Sequence, residues 1–160
     1  MEELTLEKFK EAAKKVKEVT AGTPLIHSDF FSSMCGNEIY LKPENMQFTG
    51  AYKLRGAYYK ISTMTDEERK KGLITASAGN HAQGVAYASH VHNIPATIVM
   101  PKSAPIAKVS ATEGYGAKVV LYGDCYDDAY KKAVEIQEKE GATFLHPYDD
   151  LEVMAGQGTI

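Results

Sequence analysis

Two stretches of this chain of 160 residues carry residue types that could do chemistry. The first is Thr49-Gly50-Ala51-Tyr52-Lys53-Leu54-Arg55-Gly56-Ala57, in which Lys53 adjoins an apolar stripe formed by Leu54, Ala57, Tyr58, Ile61 and Met64. A lysine drawn toward such a stripe is partly desolvated, which disfavours its ammonium form. The neutral amine is a nucleophile toward a carbonyl carbon, the chemistry of a Schiff base. The commoner state of a lysine, solvated at the surface, would do none of this. The second stretch is Ser77-Ala78-Gly79-Asn80-His81, small, polar and glycine-containing, running from an apolar segment straight into a helical one. Backbone N–H groups at a helix start, together with the helix dipole, favour an anion there, a carboxylate or a phosphate. The same residues would equally make an ordinary turn whose Ser and Asn cap the helix.

These stretches need elements to position them. Leu6, Phe9, Ala12, Ala13, Val16 and Val19 recur at helical spacing after Thr5, a predicted N-cap, and Gly22-Thr23-Pro24 breaks that helix. Ile39-Tyr40-Leu41 is a short predicted strand stopped by Pro43, followed by a loop over 44–50 and a helix from Lys53 to Met64. Thr65-Asp66-Glu67-Glu68 has the form of a capping box that opens a short helix closed by Gly72. A regular alternation follows. Four apolar runs, 73–76, 96–100, 118–122 and 142–145, are separated by predicted helices over 80–92, 106–115 and 126–140, the last with Asp124 as its expected N-cap. Short β-branched runs alternating with amphipathic helices specify βαβ units, right-handed crossovers and an α/β fold: an open parallel sheet with helices on both faces. The division expected is 1–49 as an amino-terminal helix and strand belonging to a larger domain, 50–146 as a small α/β domain, and 147–160 as the start of a truncated large domain. The last apolar segment, 151–160, meets no helix-ending residue.

Composition removes other classes. With 44% hydrophobic residues, 18 basic against 21 acidic side chains and a net charge of −3, the chain is too apolar for disorder and has no basic stripe for a phosphate backbone. Nucleic acid is therefore not an expected partner. No apolar run approaches the ~20 residues of a membrane span, and the acidic start Met1-Glu2-Glu3 is unlike a signal peptide. Cys35 and Cys125 are far apart and form no Cys-x-x-Cys, which reads as a reduced, cytoplasmic setting. The five histidines are scattered, and His90 and His92 point to different faces of a helix, so no metal site is expected. Gly114-Tyr115-Gly116 precedes a strand instead of following one, the reverse of a dinucleotide fingerprint.

Five motifs stand in register along nearly the whole chain: Lys42-Pro43-Glu44-Asn45, Thr49 to Ala57, Ser77-Ala78-Gly79-Asn80-His81-Ala82-Gln83-Gly84, His146-Pro147-Tyr148-Asp149-Asp150, and Ala155-Gly156-Gln157-Gly158-Thr159. In this order they resemble the amino-terminal half of the serine/threonine dehydratases (threonine ammonia-lyases), fold-type II pyridoxal-phosphate enzymes. The resemblance implies that Lys53 holds pyridoxal 5′-phosphate through its amine and acts as general base on the substrate Cα. It implies that Asn80 meets the cofactor's ring hydroxyl. Ser77, Gly79, Asn80 and His81, with the backbone of Ala78, would grip the carboxylate of a small amino-acid substrate. The implied reaction is β-elimination of the hydroxyl of L-threonine, and of L-serine, giving a 2-oxo acid and ammonia. Homo-oligomers, and adenine-nucleotide effectors of some degradative members, also belong to the resemblance.

Two departures bear on it. Ala51-Tyr52 replaces the Ser-Phe of many relatives, keeping an aromatic wall and losing a hydroxyl. Serine racemases of the group carry a second serine at the place of Ala78 as base on the opposite substrate face, and Ala78 has no proton to exchange; elimination is therefore expected over racemisation. A serine racemase, a hydroxyaspartate dehydratase, or a non-catalytic α/β module are the competing readings. In the family the glycine-rich phosphate loop lies in the carboxyl-terminal half, so this chain alone is expected to bind the cofactor weakly and to have negligible activity.

Overall fold

The computed structural model describes residues 4–160. The acidic start at 1–3 lies outside the described residues.

Four parallel strands form the main sheet: β3 (Leu73–Ala76), β4 (Ala96–Met100), β5 (Lys118–Leu121) and β6 (Thr143–Phe144), in the order β5-β4-β3-β6. The helices between them are α5 (Asn80–Val91), α6 (Ile106–Gly114) and α7 (Tyr126–Glu140). Side-chain alternation along the strands divides the core. Leu73, Ile98 and Met100 pack on Ala82, Val85 and Ala86 of α5, whereas Ile74, Ala76 and Val99 pack on Ala129 and Ala133 of α7. Two helices thus lie on one face and one on the other, as a βαβ series that reverses direction requires.

That reversal places the site. The chain runs outward from β3 to β4 and β5, then returns across the sheet to β6 on the other side of β3. The strand order reverses between β3 and β6, with α5 leaving β3 on one face and α7 entering β6 on the other, and this opens a crevice beyond the carboxyl ends of the strands. The Ser77–His81 turn leaves β3 there, and His146-Pro147 leaves β6 beside it.

Around this unit, α3 (Lys53–Thr63) packs against α5 and α8 (Leu151–Gln157), and α1 (Leu6–Val16) is held on the outside by Ala12 and Val16 against Tyr59 and Ala155. Thr5 caps α1 by accepting from the Lys8 amide at 3.2 Å, and α4 (Asp66–Lys70) begins with the predicted capping box of Thr65 and Glu68. Gly56 and Gly156 let α3 and α8 cross closely: a Cβ on Gly156 would stand 2.6 Å from the Arg55 carbonyl oxygen.

The amino-terminal region holds more structure than its pattern predicts. β1 (Ile26–His27) pairs antiparallel with β2 (Tyr40–Leu41), and α2 (Asp29–Cys35) connects them. Two-residue strands are too short to alternate visibly, and α2, which carries Phe30, Phe31 and Met34 exposed, spans only seven residues, too few for a helical period to stand out. Its ends did carry a signal: Ser28 accepts from the Phe31 amide at 3.3 Å, and Gly36 closes the helix at φ 67°. The expected loop over 44–50 contains a 3₁₀ turn, Glu44–Met46. Asp124 is not the N-cap of α7. Cys125 occupies that place, and Asp128 reaches back to accept from the Asp124 amide at 3.1 Å.

Candidate active site

Lys53 is the first residue of α3, half-buried, and its Nζ donates to the carbonyl oxygen of Pro147 at 3.1 Å. The side chain therefore points across to the segment leaving β6. Nζ also stands 5.4 Å from the centre of the Tyr52 ring, the aromatic wall on the solvent side. The apolar stripe that adjoins it is real: Leu54, Ala57, Tyr58, Ile61 and Met64 all belong to the core beneath.

The turn after β3 is an open helix start. Ser77 is buried, and its Oγ accepts from the amides of Gly79 and Ala82, each at 3.2 Å. Gly79 stands in the N-cap position with no side chain to cap the helix. Ala78 and Gly79 are half-buried and Asn80 is exposed. Ser77 thus satisfies two of the donors at this end, while the amides of Ala78, Asn80 and His81 have no acceptor among the described residues. Three free N–H groups at the start of a 12-residue helix form an anion-binding concavity.

His81 contributes its amide to that concavity, and its ring does something else. The ring is 4% exposed, Nε2 lies 3.4 Å from the Leu145 carbonyl oxygen, and Nδ1 is buried without a partner. Burial, together with the nearby Lys53, pushes the imidazole down to about 4, against the smaller opposing effect of the Leu145 carbonyl. The ring is neutral at pH 7. A neutral imidazole donating from Nε2 leaves a bare lone pair on Nδ1, which repels a carboxylate.

Asn80 presents its Oδ1 to the ammonium of Lys108, in the first turn of α6, at 2.5 Å. Sequence reasoning reaches neither Lys108 nor the Pro147 carbonyl. Lys108 lies 28 residues from Asn80 and carries no local mark, and a backbone carbonyl has no residue signature.

Behind Lys53 lies a buried ion pair that sequence reasoning also passes over. Arg55 Nε and Nη2 each donate to one oxygen of Glu44 at 2.8 Å, and Thr23 and Gln47 donate to the same carboxylate at 2.7 and 3.2 Å. Arg55 Nη1 reaches the Thr159 hydroxyl at 3.2 Å. Burial raises the Glu44 carboxyl, and the bonds from Arg55, Thr23 and Gln47 outweigh it, holding the group at about 2. This network ties the 3₁₀ turn, the first turn of α3 and the segment after α8 together, and so fixes the helix that bears Lys53. Its visible signal was Glu44 in Lys42-Pro43-Glu44-Asn45, one of the five motifs that stand in register along the chain.

Comparison with known proteins gives a consistent result. A family model described as pyridoxal-phosphate dependent enzyme matches residues 16–160. An L-threonine ammonia-lyase of Thermotoga maritima is 54% identical over 157 residues, which is 98% of this chain and 39% of that protein. The structure of a processed threonine deaminase isoform from Solanum lycopersicum superposes with a TM-score of 0.88 at 41% identity, covering 98% of this chain and 47% of that one. A serine racemase from Dictyostelium discoideum superposes with a TM-score of 0.90 at 37% identity, covering 98% and 51%. The chain spans half or less of the length of the first two and about half of the third.

Proposed function

The chain belongs to the pyridoxal-phosphate dependent enzymes, and from that premise we propose that it supplies the lysine-bearing half of a cytoplasmic L-threonine dehydratase that also accepts L-serine and works as a homo-oligomer. The observation that carries the reading is the convergence of one amine and three free amides on the crevice between β3 and β6. The residues fit the cofactor at one end. A primary amine suits its aldehyde, and a carboxamide suits its ring hydroxyl. Lys53 would hold it through Nζ and Asn80 would meet the ring oxygen. The phosphate is less well served: the helix-start concavity at Ser77–His81 is assigned to substrate, and α7 opens on Asp127 and Asp128, which repel a phosphate.

Pyridoxal phosphate, when bound, supplies an electron sink for charge developing at the substrate α-carbon. The amides of Ala78, Asn80 and His81 bind and orient the substrate carboxylate, with Ser77 holding the turn in shape through its two accepted bonds. The Pro147 carbonyl keeps Lys53 Nζ aimed into the crevice. Once freed by the substrate's own amine, Lys53 Nζ would take the proton from Cα and pass it to the β-hydroxyl, which would leave as water; hydrolysis of the resulting enamine would give a 2-oxo acid and ammonia. Ala78 offers only a methyl group, so this turn provides no second base to return a proton to the opposite face. That favours elimination over the racemase chemistry of the Dictyostelium protein's name. We assign residues 50–146 to a small domain, because the four-stranded sheet lies wholly within them while β1 and β2 form a separate pair.

The chain alone is expected to bind the cofactor weakly and to turn over negligible substrate. A fusion of this chain to the remaining length of the Thermotoga protein is expected to release 2-oxobutanoate from L-threonine. Turnover by the unfused chain equal to that of the fusion would contradict the assignment of phosphate binding to the missing portion. D-serine formed from L-serine without 2-oxo acid would contradict the elimination reading.

A further inference from the structure

We propose that Lys108 is a positioning residue: its ammonium fixes the orientation of the Asn80 carboxamide, so that the amide nitrogen is the group left to meet a ligand in the crevice. The proposal rests on the reading of Asn80 as the contact to the cofactor's ring hydroxyl. An ammonium has three donors and no acceptor, so only the carboxamide oxygen can face it. Turning the carboxamide by half a revolution would set an NH₂ against an NH₃⁺ at 2.5 Å, a repulsive contact. Without a charged neighbour an exposed asparagine has little to choose between the two orientations; with one, the choice is made before any ligand arrives.

Three features of the fold support this. Lys108 is half-buried and forms no ion pair with a carboxylate among the described residues, so its charge is not neutralised by an acid. Asn80 opens α5 after β3 and Lys108 sits in the first turn of α6 after β4; these strands are neighbours in register, so the sheet sets the distance between the two side chains. A bond from a charged donor is roughly twice as strong as a neutral one, and its polarisation of the carboxamide strengthens the opposite N–H groups as donors. Lys108 therefore acts on the ligand through Asn80 and touches none of the reacting atoms itself.

The experiment has one arm without cofactor and one with it. In ¹⁵N relaxation of the cofactor-free chain, the Asn80 side-chain amide is expected to be rigid, with an order parameter of about 0.8, and to fall below about 0.6 in Lys108→Met. Lys108→Arg, which retains a donor, is expected to stay near the wild-type value. In the second arm, pyridoxal phosphate is titrated into wild type, Lys108→Met, Asn80→Ala and the double variant, and binding is read from visible absorbance. Lys108→Met is expected to weaken binding about tenfold in the wild-type background and to have no effect when Asn80 is already alanine. An equal loss in both backgrounds would mean that Lys108 acts as a free charge and would overturn the proposal, as would an Asn80 amide equally mobile with and without Lys108. If Asn80→Ala binds the cofactor as tightly as wild type, the reading of Asn80 as its contact fails, and the assignment of Lys108 fails with it. If wild type binds and Lys108→Met is unchanged, only the assignment of Lys108 fails.

Discussion

The backbone of Gly84 lies directly against that of Lys53: a Cβ at Gly84 would stand 3.0 Å from the Lys53 carbonyl carbon and 3.1 Å from its oxygen. The one-turn spacing from Asn80 to Gly84 in α5 thus sets how closely the amine-bearing end of α3 approaches the helix-start concavity. Gly84→Ala is expected to gain some helix propensity and to lose more by pushing α3 outward, for a net destabilisation of about 1–2 kcal/mol in urea unfolding. The displaced Lys53 is expected to condense with pyridoxal phosphate more slowly. Gly156→Ala, whose new methyl would meet Arg55 and Gly56 backbone at 2.6 Å, is expected to cost more than Gly84→Ala.

The Glu44–Arg55 pair makes acid sensitivity predictable. Glu44 is held at about 2 in the folded chain against 4.5 when unfolded. A depressed carboxyl contributes stability that is fully present above pH 4.5 and is lost as pH falls toward 2. Glu44→Gln leaves the buried guanidinium without its counter-charge, and is expected to lower stability at pH 7 by about 3–5 kcal/mol. Denaturant titration of the variant at pH 7 and pH 3 checks both statements, because the gap to wild type should narrow at the lower pH.

His81 sets a second and higher window. Its ring is pushed down to about 4 from 6.5, chiefly by burial, so the unfolded chain takes up a proton that the folded chain refuses. Stability is then complete above pH 6.5 and declines as pH falls toward 4, by at most about 3 kcal/mol. His81→Leu is expected to flatten the stability profile between pH 7 and pH 4.5. A profile unchanged by that substitution would show that some other group is responsible.

The sheet and its helices were legible because they rest on periodicity. The apolar runs at 73–76, 96–100 and 118–122 sit between helices whose stripes are long enough to read, and the strands fall within those bounds. The site was legible in its residues and not in its geometry. Ser77–His81 could be read as an anion-binding turn or as a capped one, and it is partly both: Ser77 caps two amides and three remain free. His81 was legible as a member of the turn, but only the fold reveals that its ring is buried against Leu145 and that its amide faces the concavity. Contacts such as Lys53 to Pro147 and Asn80 to Lys108 join residues 94 and 28 positions apart, and no local pattern encodes them. The β1–α2–β2 region was not legible because its strands have two residues each and its helix seven, too short for either period to show.

The most direct test asks whether the amine at position 53 condenses with the cofactor's aldehyde. The chain is incubated with pyridoxal phosphate, reduced with borohydride, digested and examined by mass spectrometry, with Lys53→Ala in parallel. The account predicts a reduced pyridoxyl adduct on the peptide containing Lys53, in preference to all other lysines, and none at that position in the variant. Labelling spread evenly over the surface lysines, with Lys53 no more modified than the rest, would contradict it.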